Sequence, residues 1–340
     1  MKCMGNRKNT ILLSALLAFI IIIFSSCSGS RSGGDQGGGD NVGSQIGDLI
    51  NNVTGGSSKS TIKDDPDAPD WDNSPKILEL EASGIAVFDG HGAVVDYSNA
   101  NDGYIMARYE GDNPKIKIRI TRDGGDTYTY DVAGNKDFVG FPLSDGSGVY
   151  TIAMFLNIEG DKYSTACAQD IEAEITDEFA PFLRANQYSN FTSRTRAVAK
   201  ASELAAGAKS DLKVIEDFFI FITENVVYDY PKAENIQSGY IPDVDDTLET
   251  GKGICFDYAS LMTSMLRSQG IPCKLVVGHA GEAYHAWISV YVNGIGWVAN
   301  MIQFNGSVWT LMDPTFAASG DRADPNVIGD GENYNPVYYY

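Results

Sequence analysis

The sequence predicts an α+β protein in which an antiparallel β-sandwich precedes a domain that mixes helices with strands. Two observations lead to this prediction. Between residues 75 and 176, short β-rich runs alternate with turn residues, whereas residues 177–340 first favour helices and then return to strands. The chain has 340 residues, of which 43% are hydrophobic, so it can bury the cores of two ordinary domains.

The β-sandwich prediction depends on alternation and on turns. In the run KIKIRIT, Ile116, Ile118 and Ile120 alternate with charged residues, which is the pattern of a strand with one wet face. Asp-Gly and Gly-Asp pairs supply antiparallel turns, and about seven strands in roughly 100 residues favour an immunoglobulin-like sandwich. Its reactive candidates are His91 and Cys167, and a lone histidine in a loop such as DGHGAV is more often plain surface than a ligand.

The N-terminus has the layout of an export signal. Three basic residues precede an uncharged run of 14 residues and then Ser-Ser-Cys27. Because a bilayer-spanning helix needs about 20 apolar residues, we expect residues 1–26 to be a removable signal peptide. The segment resembles a bacterial lipoprotein signal, which implies a lipid on Cys27 that anchors the exported chain to the outer face of a membrane. The alternative is an ordinary signal peptide with an incidental cysteine.

Residues 27–74 are rich in Gly, Ser, Asp and Asn, and we expect them to form a flexible tether. The net charge of the whole chain is −20. Residues 1–26 hold three basic and no acidic residues, so their removal leaves −20 − 3 = −23. This acidic balance argues against a nucleic-acid partner and against direct binding to an anionic membrane surface.

The candidate nucleophile follows two predicted helices. TRAVAKASELAAGAK is rich in alanine, and DLKVIEDFFIFITENV places apolar residues at helical spacing. A third helix is predicted from Cys255 to the residues before Gly270. At a helix N-terminus, free N–H groups and the helix dipole favour the thiolate, which is the nucleophilic form of cysteine. The same N–H groups are candidate donors to an oxyanion.

Two residues further along the chain complete an arrangement for activating a thiol. EAYHAWISVYVNG predicts a strand that carries His285, and FNGSVWTLMDPTF predicts a hairpin that leads to Asp313. In such an arrangement His285 accepts the thiol proton and Asp313 orients the imidazole. His279 is an alternative base, and Asp313 alternatively begins an Asp-Pro turn.

Four motifs in this part of the chain resemble the transglutaminase-like superfamily. They are GxCxDYA at 253–259, GIP at 270–272, YHAW at 284–287 and DPTF at 313–316, within a match over roughly residues 211–316. The resemblance implies a papain-like α+β core with Cys255 as nucleophile, His285 as base and Asp313 as orienter, and it implies no cofactor. Two features depart from the family's pattern, namely the added segment 293–304 and Cys273, where alanine is common.

Two clusters have plainer interpretations. Without Cys27, the exported chain keeps three cysteines, Cys167, Cys255 and Cys273. A Cys167–Cys273 disulfide would spare the nucleophile, but we favour free thiols. Three acidic residues could ligate Ca²⁺, namely Asp243, Asp245 and Asp246. They lack the spacing of an EF-hand loop, so we expect no metal and a capped turn instead.

The sequence therefore predicts an enzyme at the cell surface or envelope that acts on a protein or peptide. Cys255 would attack a carboxamide or peptide carbonyl and form a thioester. Resolution by water would make a cysteine peptidase or amidase, which we favour because water is always available, and resolution by an amine would make a transglutaminase. The competing hypothesis is a non-catalytic lipoprotein whose β-sandwich binds a partner. The sequence leaves the oligomeric state open.

Overall fold

The alternating segments of the first half form two four-stranded antiparallel sheets in the computed structural model, which describes residues 65–132, 136–281, 283–298, 302–304, 309–311 and 334–340. One sheet has the order β1-β2-β3-β6 and the other the order β5-β4-β7-β8. The strands are β1 Val87–Gly90, β2 Ala93–Asp96, β3 Tyr104–Tyr109, β4 Ile116–Arg122, β5 Thr127–Val132, β6 Val139–Pro142, β7 Gly148–Glu159 and β8 Lys162–Ala173.

Strand β4 shows why this half folds as a sandwich. Ile116, Ile118 and Ile120 are buried, while Arg119 between them is exposed. Their alternation places the isoleucines in the core between the sheets and the charged side chains outside. The predicted surface position of His91 is confirmed, since it is exposed in the turn between β1 and β2.

Five helices occupy the described part of the second half. They are α1 Arg196–Leu204, α2 Asp211–Asn225, α3 Tyr230–Asn235, α4 Val244–Thr250 and α5 Cys255–Ser268. The alanine-rich segment and the segment with apolar residues at helical spacing form α1 and α2, and the third predicted helix is α5. Ser210 caps α2 by accepting a hydrogen bond from the Lys213 amide. No helix in the described ranges is long and apolar enough to cross a bilayer.

A third sheet of order β13-β12-β11-β16 supports these helices, beside two short strand pairs, β9–β10 and β14–β15. The strands are β9 Val227–Tyr228, β10 Lys252–Gly253, β11 Cys273–Ala280, β12 Ala283–Val292, β13 Gly296–Val298, β14 Ile302–Phe304, β15 Trp309–Leu311 and β16 Tyr334–Tyr339. The predicted strand around His285 and the predicted hairpin β14–β15 are both present. The predicted architecture, an antiparallel β-sandwich followed by an α+β half, is confirmed.

Helix α5 is the centre of the second half. Its apolar residues share one hydrophobic core with residues of β11 and β12, among them Leu261, Met265, Leu275 and Ile288. Twelve of its fourteen residues are buried, as expected of a helix enclosed by a sheet on one side and by α1, α2 and α4 on the others. Such enclosure fixes the position of both helix ends.

The N-terminal part of the described chain lies against the far end of α5. The Lys76 amide donates to the Ser268 carbonyl over 2.8 Å, and the Trp71 indole donates to the Gln269 side chain over 3.2 Å. Residues 71–74, which the sequence assigned to the tether, therefore contact the helical half. All described residues belong to one compact unit.

Candidate active site

The candidate nucleophile, Cys255, is the first residue of α5, and the β11–β12 hairpin brings the start of β12 to the same end of the helix. Thr263 Oγ1 lies 3.6 Å from Cys273 Sγ, so β11 begins beside the second half of α5. From there β11 runs back along about 12 Å of helix to its start. A strand of 8 residues covers about 26 Å, so β11 is long enough to reach that end. The hairpin then turns, pairing Ala280 with Ala283.

Tyr284 marks the contact between hairpin and helix start. Neighbouring residues partly desolvate the Tyr284 phenol and raise its pKa to about 12, with smaller contributions from Tyr338 and from the Cys255 thiol. This electrostatic interaction places the phenol near the thiol. The Tyr284 side chain is exposed and Cys255 is half-buried, so the thiol lies at the surface of the helix–sheet core. At neutral pH the phenol keeps its proton and is a hydrogen-bond donor beside the candidate nucleophile.

His285 and His279 lie at this same end of the sheet but on opposite faces. His285 is buried, and its ring stacks near that of Trp287, with centroids 6.1 Å apart, and meets the Tyr334 ring edge-on. His279 is exposed and faces Tyr284, with ring centroids 5.5 Å apart. The aromatic packing restricts the orientation of the His285 imidazole, and its role as general base stays a prediction.

A glycine directly opposite His285 allows this packing. Gly278 pairs with His285 in the β11–β12 register. A Cβ at Gly278 would lie 2.2 Å from the Asn335 carbonyl oxygen and 2.9 Å from the Trp287 ring. Strand β16 and Trp287 can therefore approach β11 only because this residue has no side chain. Asp313 lies outside the described residues, so its role as orienter stays a prediction.

A buried carboxylate closes the first turn of α5. Asp257 is fully buried and receives three donors. Its Oδ2 accepts from the Ile254 amide over 2.8 Å and lies 2.8 Å from Lys232 Nζ, and its Oδ1 accepts from the Tyr240 hydroxyl over 2.5 Å. Burial, and then the hydrogen bond to Asp257, raise the pKa of Tyr240. Asp257 thus caps the helix from its third residue and ties it to the segment 229–243.

The glycine of the GxCxDYA motif makes room for this carboxylate. A Cβ at Gly253 would lie 2.6 Å from Asp257 Cβ, so a side chain there would displace Asp257. The chain on either side is held by the parallel pair β9–β10, in which the Asp229 amide donates to the Gly253 carbonyl over 2.9 Å. Because Gly253 has no side chain, Asp257 can pack against it beside Cys255.

Aromatic rings connect the helix start to the β-sandwich. Tyr188, in the segment between the two halves, stacks on Tyr130 of β5 with centroids 5.7 Å apart, and it lies 5.2 Å from the ring of Phe256. The Ser260 hydroxyl of α5 donates to the Tyr188 carbonyl over 2.6 Å. Since Phe256 follows Cys255 directly, the β-sandwich takes part in fixing the position of the thiol.

The other sequence candidates have structural roles. The three described cysteines are free thiols, and both Cys167 and Cys273 are buried. Asp243 caps α4 by accepting from the amides of Asp245 and Asp246, as predicted. Asp245 in turn accepts from the Arg196 and Ala197 amides at the start of α1. Within the described ranges no group of three or more acidic, histidine or cysteine side chains could hold a metal ion.

Asp257 belongs to the GxCxDYA motif, but the sequence alone gives it no role, and it does not indicate that Lys232, Tyr240 or Tyr188 contributes to the site. The signal for Asp257 was its position, because an acidic residue three places after a helix N-cap often accepts from the N-cap amide. Lys232 lies 25 residues before Asp257, from 257 − 232 = 25, and no local pattern links the two.

Comparison with known proteins matches residues 198–300 to the Transglutaminase-like superfamily. The kyphoscoliosis peptidase of Mus musculus is 33% identical over 106 residues, which cover 27% of this chain and 16% of that protein. The kyphoscoliosis peptidase of Homo sapiens is 30% identical over 119 residues, covering 31% of this chain and 18% of that protein. The match thus spans less than a fifth of these relatives. The solved structure of red sea bream transglutaminase has a TM-score of 0.27 and 12% identity, covering 68% of this chain and 54% of that one.

Proposed function

We propose, from the premise that residues 198–300 form a transglutaminase-like domain, that this chain is a thiol acyl-transfer enzyme with Cys255 as its nucleophile. The observation that supports this most directly is the position of Cys255, which is half-buried, free, and first in a helix whose other residues are almost all buried. The thiol is accessible, while the helix that orients it is fixed. The amides of the first helical turn are candidate donors to an oxyanion.

In the proposed reaction the Cys255 thiolate attacks the carbonyl carbon of an amide, and His285 holds the proton taken from the thiol. Collapse of the tetrahedral intermediate breaks the C–N bond, and the imidazolium gives its proton to the leaving amine. Water then attacks the thioester, again losing a proton to His285, and the C–S bond breaks to release a carboxylic acid. Asp313 would orient the imidazole in both steps.

The acceptor decides between the two activities of this proposal. Hydrolysis is the main proposal, which makes the protein a cysteine peptidase or amidase, and the name of the kyphoscoliosis peptidases agrees with it. Transfer to an amine, as in a protein-glutamine transglutaminase, is the second candidate, and the matched family is named for it. A glutamine-containing peptide incubated with and without a primary amine separates the two, because only transfer incorporates the amine.

Brief alkylation of the purified protein with iodoacetamide, followed by peptide mapping, tests the nucleophile. We expect label at Cys255 first, at a rate that His285→Ala lowers about tenfold or more because the base is lost. His279→Gln tests the alternative base, and we expect it to leave the rate of Cys255 labelling unchanged; a loss in that variant instead of in His285→Ala would make His279 the base. Equal, slow labelling of all three described cysteines would favour the alternative, a non-catalytic binding protein.

We also propose that the chain is exported and lipid-anchored through Cys27, on the motif of residues 1–27. In a bacterial host, wild-type protein is then expected in the membrane fraction after incorporation of labelled fatty acid. Cys27→Ala should lose the label and leave the membrane. Retention of the label in that variant would show that another residue carries the lipid.

A further inference from the structure

We propose that Lys232 and Asp257 form a positioning pair that sets the protonation and orientation of the Cys255 thiol. This inference rests on the proposed function, since it concerns the nucleophile named there. Asp257 is fully buried in the first turn of α5, two residues after Cys255, and Lys232 from α3 is its cationic partner at 2.8 Å. Neither side chain is placed in contact with substrate, so both act through the helix start.

The burial of Asp257 requires a compensating charge. A carboxylate removed from water is strongly destabilising unless it is paired and fully hydrogen-bonded. The Ile254 amide and the Tyr240 hydroxyl supply neutral donors, and Lys232 supplies the positive charge. The Lys232 ammonium also lies 4.7 Å from the centre of the Tyr240 ring, which helps to hold it in this place.

The charge of Lys232 has a consequence for the thiol that the neutral donors do not have. Asp257 lies within one helical turn of Cys255, a distance of about 6 Å. At that distance an unpaired carboxylate would oppose formation of the Cys255 thiolate and cancel the favourable effect of the helix dipole. With Lys232 in place the pair is nearly neutral. The pair thus allows a carboxylate to cap the helix without suppressing the nucleophile.

Other titratable groups also face the helix start, and they are the same in every variant below. Tyr284 comes from β12, and His279 of β11 faces it with ring centroids 5.5 Å apart. Tyr188 comes from the connecting segment and Tyr338 from β16. Behind Tyr240, Asp243 and Asp246 contribute negative charge. Only substitutions at Lys232 and Asp257 alter the net charge of the pair. A shift in the pH dependence of Cys255 alkylation can therefore be assigned to the pair.

The test is the rate of Cys255 alkylation by iodoacetamide between pH 5 and 10 in the full-length protein. Lys232→Met leaves Asp257 unpaired, so we expect the midpoint of the pH profile to rise by about one unit and the rate at neutral pH to fall about tenfold. Asp257→Asn leaves Lys232 unopposed and should move the midpoint down. The double variant should return it close to that of the wild type.

Tyr240→Phe is the matched control for a purely structural role. It removes a hydrogen bond from the same carboxylate but no charge, so we expect a lower melting temperature with a midpoint within about 0.3 unit of the wild type. Lys232→Arg keeps the charge and should restore the profile.

The proposal is overturned if folded Lys232→Met has the wild-type midpoint, or if Lys232→Met and Asp257→Asn shift it in the same direction. If Lys232→Met does not fold, the direction of the Asp257→Asn shift decides alone. A wild-type Cys255 that labels no faster than Cys167 and Cys273 would contradict the proposed function itself, and the two failures are therefore distinguishable.

Discussion

The two ends of helix α5 each combine a cysteine with a buried charge, but they treat the cysteine in opposite ways. At the start, Cys255 is half-buried, and the charge is Asp257, paired with Lys232. Near the end, Cys273 is fully buried beside the helix, and the charge is Arg267, which is also fully buried. Each charge has the sign that the helix dipole favours at its end.

Arg267 is held by backbone carbonyls. It donates to the carbonyls of Cys273, Arg184 and Tyr340 over 2.6–2.9 Å. Burial lowers the pKa of Arg267 to about 10, so it stays charged at neutral pH, while burial raises the pKa of Cys273 to about 11. At this end of the helix, burial keeps the Cys273 thiol protonated and away from solvent. Accessibility and local charge, rather than residue type, separate the candidate nucleophile from a structural cysteine.

The largest expected effect is the difference in reactivity between these two cysteines. In native protein at pH 8 we expect iodoacetamide to label Cys255 at least about a thousandfold faster than Cys273, because the buried thiol must wait for local opening. Peptide mapping over a time course measures both rates. Urea at concentrations below the unfolding transition should accelerate the labelling of Cys273 but not the labelling of Cys255. Fast labelling of Cys273 in the absence of urea would remove the contrast between the two helix ends.

The second expected effect concerns the sealed end alone. Arg267→Met removes the donors from three buried carbonyls, each worth roughly 1 kcal/mol, so we expect the free energy of unfolding to fall by about 3 kcal/mol. Urea unfolding followed by circular dichroism measures this loss. Lys200→Met, which breaks the Lys200–Glu203 ion pair on α1, is the control and should cost below about 0.5 kcal/mol.

If the two helix ends act independently, iodoacetamide should label Cys255 in folded Arg267→Met protein at the same rate as in the wild type. A parallel loss of Cys255 labelling, measured well below the unfolding transition, would show instead that Arg267 positions the thiol through the length of the helix. Either result measures how far the buried end of α5 controls the reactivity of the thiol at its start.

Features set by neighbouring residues could be predicted from the sequence, and these include the strand around Ile118 and the helix that begins at Cys255. The positions of Lys232, Tyr188 and Arg267 could not, because their partners are distant in the chain. Arg267 meets Tyr340 across 73 residues and Ser260 meets Tyr188 across 72. Burial of a charge depends on such contacts, and no periodicity records them. The family resemblance included Asp257, but only the structure shows that it is a cap.

The smallest expected effect is a pH dependence that belongs to Cys273. Because burial raises its pKa from an ordinary 9.0 to about 11, the unfolded thiol loses its proton between pH 9 and 11 while the native thiol keeps it. The native state then binds more protons, so the free energy of unfolding falls as pH rises through this window, by about 1–2 kcal/mol from this group. Buried tyrosines such as Tyr130 and Tyr340 add their own alkaline loss, and Cys273→Ala leaves that loss unchanged. Urea unfolding at pH 8.5 and 10.5 should therefore show a smaller drop for Cys273→Ala than for the wild type. An equal drop in both proteins would mean that Cys273 ionises in the folded protein as it does in water, and that this end of the helix is not sealed.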